Sequence, residues 1–363
     1  MNAAAREVGE GMRLAAADTA RRPRTLVIGT HCFTDSMESH VLDGLRELGC
    51  NAEFFAARGI GGIETTLQKV LQKGVNLLMR EPERLAERRL LATVERLQPQ
   101  LILVILGSQL SPKSVQLLRA RSSAPIVCWC QDSMTTLGRQ YLLGSQYDAV
   151  FVKDRYMQAE FSRVFRSTPF HYLPEACNPR VHRALQLSSE ECARLGCEVM
   201  IAGTLYYYRQ EILGALSAFD VKVYGHRPSW FVDRLPGRHT GRSVYGEDKV
   251  RATRAARIAL NTLHDSEVNG LNCRAFELAG CGAFQIVSAR PVLAEHFRIG
   301  EEIESFEGVD ELVEKVRFYL RNPERASRIG DAGGRRAHAE HTFARRLESL
   351  LATVFGQQRQ AVP

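Results

Sequence analysis

The stretch Asn269–Phe284, NGLNCRAFELAGCGAF, decides how the chain is read. A polar loop, DSEVNGLN, runs into a short apolar helix, CRAFELAG. A glycine–cysteine–glycine turn stops the helix, and an apolar run, AFQIVS, follows. Loop, helix, turn and strand follow one another without a break. The helix start carries Asn272 and Arg274, and Glu277 sits about one turn further along the same side. Unpaired backbone N–H groups and the positive end of the helix dipole make such a start a ready anion site. Arg274 adds a cation whose planar fork suits phosphate oxygens. A carboxylate one turn on can accept hydrogen bonds from the vicinal hydroxyls of a ribose. The plainer alternative is that Phe276, Leu278 and Ala279 are core and that Arg274 simply pairs with Glu277.

Upstream, TLVIGT (25–30) is a compact apolar strand. It leads into an amphipathic helix with Val41, Leu42, Leu45 and Leu48 on one face, then a second strand, AEFFAA (52–57). Strand, helix, strand at this length is a βαβ unit and implies a parallel sheet. Residues 60–98 read as mostly helical, with acids and arginines paired at helical spacing as on a solvated face. LILVIL (101–106), PIVCWCQD (125–132) and YDAVFVKD (147–154) are further strands, and Ser111 is placed to cap the helix between the first two. Cys128 and Cys130 fall on the same face of their strand. Pro174 and Pro179 mark a boundary near residues 174–182.

The same alternation then restarts with CEVMIAGTLYYYRQEILGAL, a strand, a turn at Gly203 and a helix. VKVYGH (221–226), IALNTL (258–263) and AFQIVS (283–288) continue it. The chain reads as two α/β halves in tandem. Ligands in such sheets bind at the carboxyl ends of strands, and a cleft between two halves is where an active site is expected.

At 363 residues the chain suits two domains of ordinary size. Apolar content of 45% and charged content of 25% are those of a soluble globular protein. No run of about 18 apolar residues exists, so no membrane span is expected. Residues 1–23 mix acids with arginines and read as a flexible tail, neither a secretory signal nor a transit peptide. Nine scattered cysteines, with no second pair at zinc spacing, suit a reduced, cytoplasmic protein. The net charge of +7 fits a basic cleft for phosphorylated donors or peripheral contact with an anionic membrane. There is no long basic run and no nucleic-acid module, so nucleic acid is not expected as a partner.

The residues NxRxFE followed by CGAF resemble the C-terminal domain of the GT-B glycosyltransferases, in particular the spore-maturation (CgeB-like) group related to family 4. The similarity continues through GEEIESFEGVDELVEKVRFYLRNPERASRIGDAGGRRAHAEHTFARRL and covers most of residues 197–350. It implies an α/β GT-B fold, with two Rossmann-like domains facing across a cleft and a C-terminal helix returning toward the N-terminal domain. The expected divisions are a flexible tail over 1–23, an acceptor domain over 24–173, a nucleotide-sugar donor domain over 174–340 and the returning helix over 341–363. In family 4 a pair of glutamates brackets this loop and helix. Glu277 matches the second, which holds the nucleotide ribose there, whereas the first falls on Asn269, a neutral amide.

Gly203 follows the first strand of the second half, where a glycine lets backbone approach a phosphate, and Arg209 can reach the pyrophosphate from the next helix. The resemblance implies the same use of that turn. Among Tyr206, Tyr207 and Tyr208 core packing is expected for at least two, with one left to stack on a base or sugar. In the first half, Asp132 and His31 each end a strand and are the candidates for a general base or acceptor ligand. Glu267 is a further candidate for the sugar, and His341 reads as structural. No DxD stands after a buried strand, so no metal and no cofactor are expected. Asn272, Arg209 and Arg274 would attend the leaving diphosphate. The expected reaction is hexosyl transfer from a nucleotide-sugar, a UDP-sugar, to a hydroxyl of a glycan, protein or small molecule, with retention favoured. A nucleotide-binding scaffold without transferase activity is the alternative, and a nucleotide-sugar epimerase a third.

Overall fold

The computed structural model describes residues 22–57, 82–105, 110–132, 144–227, 232 and 237–360. Most of the tail expected over 1–23, and the helical reading of 60–81, lie outside the described residues. The chain forms two compact units. One comprises Met1–Lys153, Met157–Leu173 and Phe343–Pro363; the other comprises Asp154–Tyr156 and Pro174–Thr342.

In the first unit the order is β1 (Thr25–Gly29), α1 (Met37–Glu47), β2 (Ala52–Ala56), α2 (Pro82–Leu97), β3 (Leu101–Ile105), α3 (Pro112–Arg119), β4 (Ile126–Cys130), β5 (Ala149–Val152), α4 (Arg155–Val164) and β6 (Phe170–Tyr172). The strands form one parallel sheet in the order β2-β1-β3-β4-β5-β6. β1, β3 and β4 are buried along their whole length, as unbroken apolar runs require when both faces of a sheet are covered. Cys128 and Cys130 enter the same core cluster, on one face of β4. Ser36 and Ser111 cap α1 and α3, each side chain accepting the N–H three residues on, at 3.2 and 3.1 Å. The last helix, Phe343–Gln360, packs on α1 in this unit. Gly44 opens the groove it needs: a Cβ there would lie 2.7 Å from Leu347 Cδ1. Phe343 meets the buried Trp129 ring at 5.9 Å, and Trp129 Nε1 donates to the Leu173 carbonyl at 3.2 Å.

In the second unit the elements are α5 (Ser189–Leu195), β7 (Cys197–Ala202), α6 (Tyr207–Gly214), β8 (Val221–Tyr224), α7 (Gly246–Ala255), β9 (Ala256–Asn261), α8 (Cys273–Gly280), β10 (Gln285–Ser288), α9 (Leu293–His296), β11 (Glu304–Phe306), α10 (Val309–Arg321) and α11 (Pro323–Glu340). Its sheet is parallel in the order β11-β10-β9-β7-β8. β8 and β9 therefore flank β7 on opposite sides. That is a topological switch point, where connections leave in opposite directions and open a crevice past the strand ends. In the first unit β1 has the same place between β2 and β3.

α8 is the helix foreseen in CRAFELAG, residue for residue. It buries Ala275, Phe276, Leu278 and Ala279. The Phe276 ring packs against Phe297, His296 and His341 at 5.9, 5.5 and 5.4 Å. Emptying such a site costs about 3–5 kcal/mol. α11 lies on α8 at glycine distance. A Cβ on Gly333 would stand 2.3 Å from the Glu302 carbonyl oxygen, and one on Gly330 2.7 Å from the Phe284 nitrogen. A Cβ on Gly334 would stand 3.3 Å from the Ala279 carbonyl oxygen, so the small residues of IGDAGG let α11 approach the C-terminal end of α8. Among the described residues no helix is long and apolar enough to cross a membrane.

Candidate functional site

At the switch point of the second unit, β7 ends in Gly203 with φ +139°, a backbone conformation that favours glycine. Its N–H donates to the Tyr224 carbonyl at 2.7 Å. Gly225 lies so close beyond β8 that a Cβ there would fall 1.9 Å from the Gly203 oxygen. Two glycines thus hold the ends of β7 and β8 together and leave a strip of backbone that carries no side chain.

Two guanidinium groups converge on that strip. An alanine Cβ at Gly203 would stand 2.9 Å from Arg209 Nη1 and 3.2 Å from Arg274 Nη2. Arg209 comes from α6 and Arg274 from the first turn of α8. Arg209 is buried and fixed: Nε donates to Thr262 Oγ1 at 2.7 Å, Nη2 to the Thr262 carbonyl at 3.1 Å and Nη1 to the Thr204 carbonyl. Its guanidinium lies 4.5 Å from the centre of the Tyr206 ring. Burial pushes its pKa down to about 10; Tyr206 works against this, and the Arg274 charge adds to it. Like charges brought together over bare backbone favour an anion beside them, and phosphate groups are anions that guanidinium forks suit.

The loop after β9 is pinned at both ends. Asn261 and Asn272 exchange hydrogen bonds through both amide groups, 2.9 Å each way. Asn272 Oδ1 also accepts the Ala275 N–H at 3.3 Å and so caps α8. Asn269 is tied by its N–H to Asp154 Oδ2 at 3.0 Å, while its Oδ1 accepts the Val292 N–H at 2.9 Å. Asp154 also accepts the Tyr156 N–H at 2.8 Å. The Glu267 carbonyl accepts from Arg290 Nε at 2.6 Å. Asn272 and Asn269, both candidate donor ligands by sequence, thus use side-chain atoms to shape the loop and helix start.

Glu277 is buried one turn into α8, and its ion pair is not with Arg274. Oε2 lies 2.9 Å from Lys249 Nζ on α7, and Oε1 lies 3.8 Å from His182 Nε2. His182 Nδ1 accepts the Asn178 N–H at 3.0 Å, which leaves the proton of the neutral ring on Nε2, toward the carboxylate. The sequence reading singles out neither Lys249 nor His182.

The tyrosines depart from expectation. Tyr206 turns under Arg209 and against the His264 ring at 4.8 Å, but Tyr207 and Tyr208 are 43% and 49% exposed instead of packed in the core. They fall on the water-facing side of the first turn of α6, whose other side buries Arg209 and Gln210. His341 is buried, and its Nε2 bonds the His296 carbonyl at 2.8 Å, a packing role.

In the first unit His31 follows β1 and Asp132 follows β4, both exposed. β3 lies between their strands, a separation of about 10 Å, so the two do not form one acid–base pair. Glu38, in the first turn of α1, gathers the N–H groups of Thr30 and His31 at 3.0 and 3.4 Å. A buried titratable pair in this unit is one the sequence reading passes over. His40 Nε2 lies 3.2 Å from Asp35 Oδ1, both buried side chains, and Asp35 has φ 75°.

Residues 209–352 match a protein family described as Glycosyl transferase-like. Among curated proteins no sequence matches the chain. Solved structures do. A sucrose-phosphate synthase from Thermosynechococcus elongatus superposes with a TM-score of 0.64 at 13% identity, over 93% of this chain and 98% of that one. HepE of Anabaena, in complex with UDP-glucose, gives 0.61 at 12% identity, over 94% and 100%. A glycosyltransferase from Rickettsia africae gives 0.58 at 11%, over 93% and 99%. The fold is that of the GT-B glycosyltransferases, and the family match falls mostly within the second unit.

Proposed function

We propose that this chain is a glycosyltransferase that moves a hexosyl group from a nucleotide-sugar, a UDP-sugar, to the hydroxyl of a glycan, protein or small molecule. The observation that carries the reading is the convergence of Arg209 and Arg274 on the bare backbone at Gly203, with Glu277 one turn along the same helix. The diphosphate sits against the two guanidiniums and the N-terminus of α8, and the ribose hydroxyls reach Glu277. As the bond to the anomeric carbon breaks, negative charge grows on the leaving phosphate, where these groups are already in place to stabilise it. The reading therefore assigns that task to arginine and not to a metal ion. The bond from the anomeric carbon to the phosphate oxygen breaks, the acceptor oxygen bonds that carbon on the same face, and its proton passes to the departing phosphate, so the configuration is retained. Relationship to the spore-maturation (CgeB-like) group and family 4, a cytoplasmic setting for a chain whose cysteines are all free, and peripheral contact with an anionic surface belong to the same proposal. Structural neighbours that hold UDP and UDP-glucose support the choice of base.

A thermal-shift and calorimetric screen of UDP, GDP, ADP and their sugars tests this. UDP is expected to raise the melting temperature, Glu277→Ala to remove the shift, and a UDP-sugar to be consumed only when an acceptor is supplied. No shift with any nucleotide sinks the reading. A second reading, a nucleotide-binding scaffold, draws on Asn269, whose amide oxygen is engaged by the Val292 N–H where family 4 has a glutamate. Binding without transfer or donor hydrolysis across a donor and acceptor panel would select it.

A further inference from the structure

Lys249 lies on α7, in the run GEDKV. Its side chain is only 9% exposed and ends 2.9 Å from Glu277 Oε2, whose side chain is 6% exposed. Taking two such charges out of water costs several kcal/mol per ion, and an apolar pair of similar volume is often as stable or more so. A pair kept at this depth, one turn from Arg274, is therefore poorly explained by stability alone. α7 runs directly into β9, whose far end supplies Asn261 and Thr262, the partners of Asn272 and Arg209. One continuous segment thus carries the contacts of three candidate donor-binding residues.

The chemistry of the ammonium matters. Lysine is a point charge, so it binds one lone pair of a carboxylate that has about four. It fixes the rotamer, and a carboxylate held through one oxygen can still accept from hydroxyls. Without the ammonium, the carboxylate loses the contact that aims it. We propose that Lys249 is the positioning residue for ribose recognition: it holds the Glu277 carboxylate aimed at the 2′- and 3′-hydroxyls, and it stays on Glu277 when the nucleotide binds. This rests on the reading of Glu277 as the ribose ligand.

The test compares calorimetric affinities for UDP and 2′-deoxy-UDP, and for GDP and 2′-deoxy-GDP, in the wild type, Lys249→Met and Lys249→Gln. The wild type is expected to prefer the ribonucleotide at least ten-fold. In both variants that preference should fall to within about two-fold, with affinity for the deoxynucleotide nearly unchanged. A purely structural lysine would weaken both ligands alike, so a folded variant that keeps the wild-type ratio overturns the proposal. A second measurement needs no variant. Amine-reactive labelling of the wild type, read by mass spectrometry, should leave Lys249 protected with and without saturating UDP. Labelling that appears on binding means that the pair opens, and it overturns the proposal even if both variants fail to fold. If the wild type binds none of the ribonucleotides, the nucleotide reading itself fails, which is a different result from a lost ribose preference.

Discussion

Asn261 and Asn272 face each other with amide against amide, donating and accepting at 2.9 Å in both directions. One closes β9 and the other starts α8, so this pair sets where the positive end of the helix points. Asn272→Ala removes both bonds and the cap on Ala275. It is expected to lower stability by about 1–3 kcal/mol, read as a drop of several degrees in Tm. Asn272→Asp keeps the cap but turns an oxygen toward Asn261, so it should fall between the two.

Gly203→Ala combines backbone strain with a Cβ 2.9 Å from Arg209 Nη1. The strain costs about 1–3 kcal/mol. The larger consequence is expected in binding, because Arg209 is fixed by Thr262 and cannot yield without losing hydrogen bonds. Calorimetry should show at least a ten-fold loss of nucleoside diphosphate affinity, with the nucleoside alone much less affected.

The pKa of Arg209, pushed down to about 10 by burial, sets a pH dependence. The folded pKa lies below the ordinary arginine value. Keeping the group charged therefore costs folding stability at every pH below about 10, and the cost is relieved as pH rises through that value. Anion binding runs the other way, since it needs the charged form. Inorganic pyrophosphate should bind with nearly constant affinity from about pH 7 to about pH 9 and weaken above about pH 10. Arg209→Met should bind weakly throughout and show no such fall.

Gly333 admits no side chain without moving the Glu302 carbonyl. Gly333→Ala is expected to cost about 1–3 kcal/mol through overpacking. Because α11 supports α8 from behind, the variant should also bind UDP less tightly. Gly356→Ala, where a Cβ would meet nothing within 4 Å, is the control and should leave Tm unchanged or slightly raised.

Much of the frame is legible in the residues. LVIG, LILVI and IVCWC are apolar without interruption because both faces of their strands are covered, and CRAFELAG has a cap before it and glycines after it. β6 and α5 are harder: three residues make a weak strand signal, and the capping box of Ser188 and Glu191 is a local mark the strand-and-helix pattern overlooks. The site is legible only in part. Gly203, Arg209 and Arg274 do come together, because each follows a parallel strand that ends on the same edge. Lys249 stays hidden because its partner is 28 residues away and a buried lysine looks like a solvated one in sequence. Tyr207 and Tyr208 mislead for the opposite reason, since aromatic character suggests burial and they take the water-facing side of the first turn of α6.

The first unit is not contiguous: its sheet is encoded before residue 174, yet the helix that covers α1 is made only after the second unit. On the ribosome the second unit is complete once Thr342 emerges, while Gly44 and Trp129 still await Phe343 and Leu347. The second unit can therefore mature before the first. A chain cut just before Phe343 would keep the second unit whole and leave the first without its covering helix.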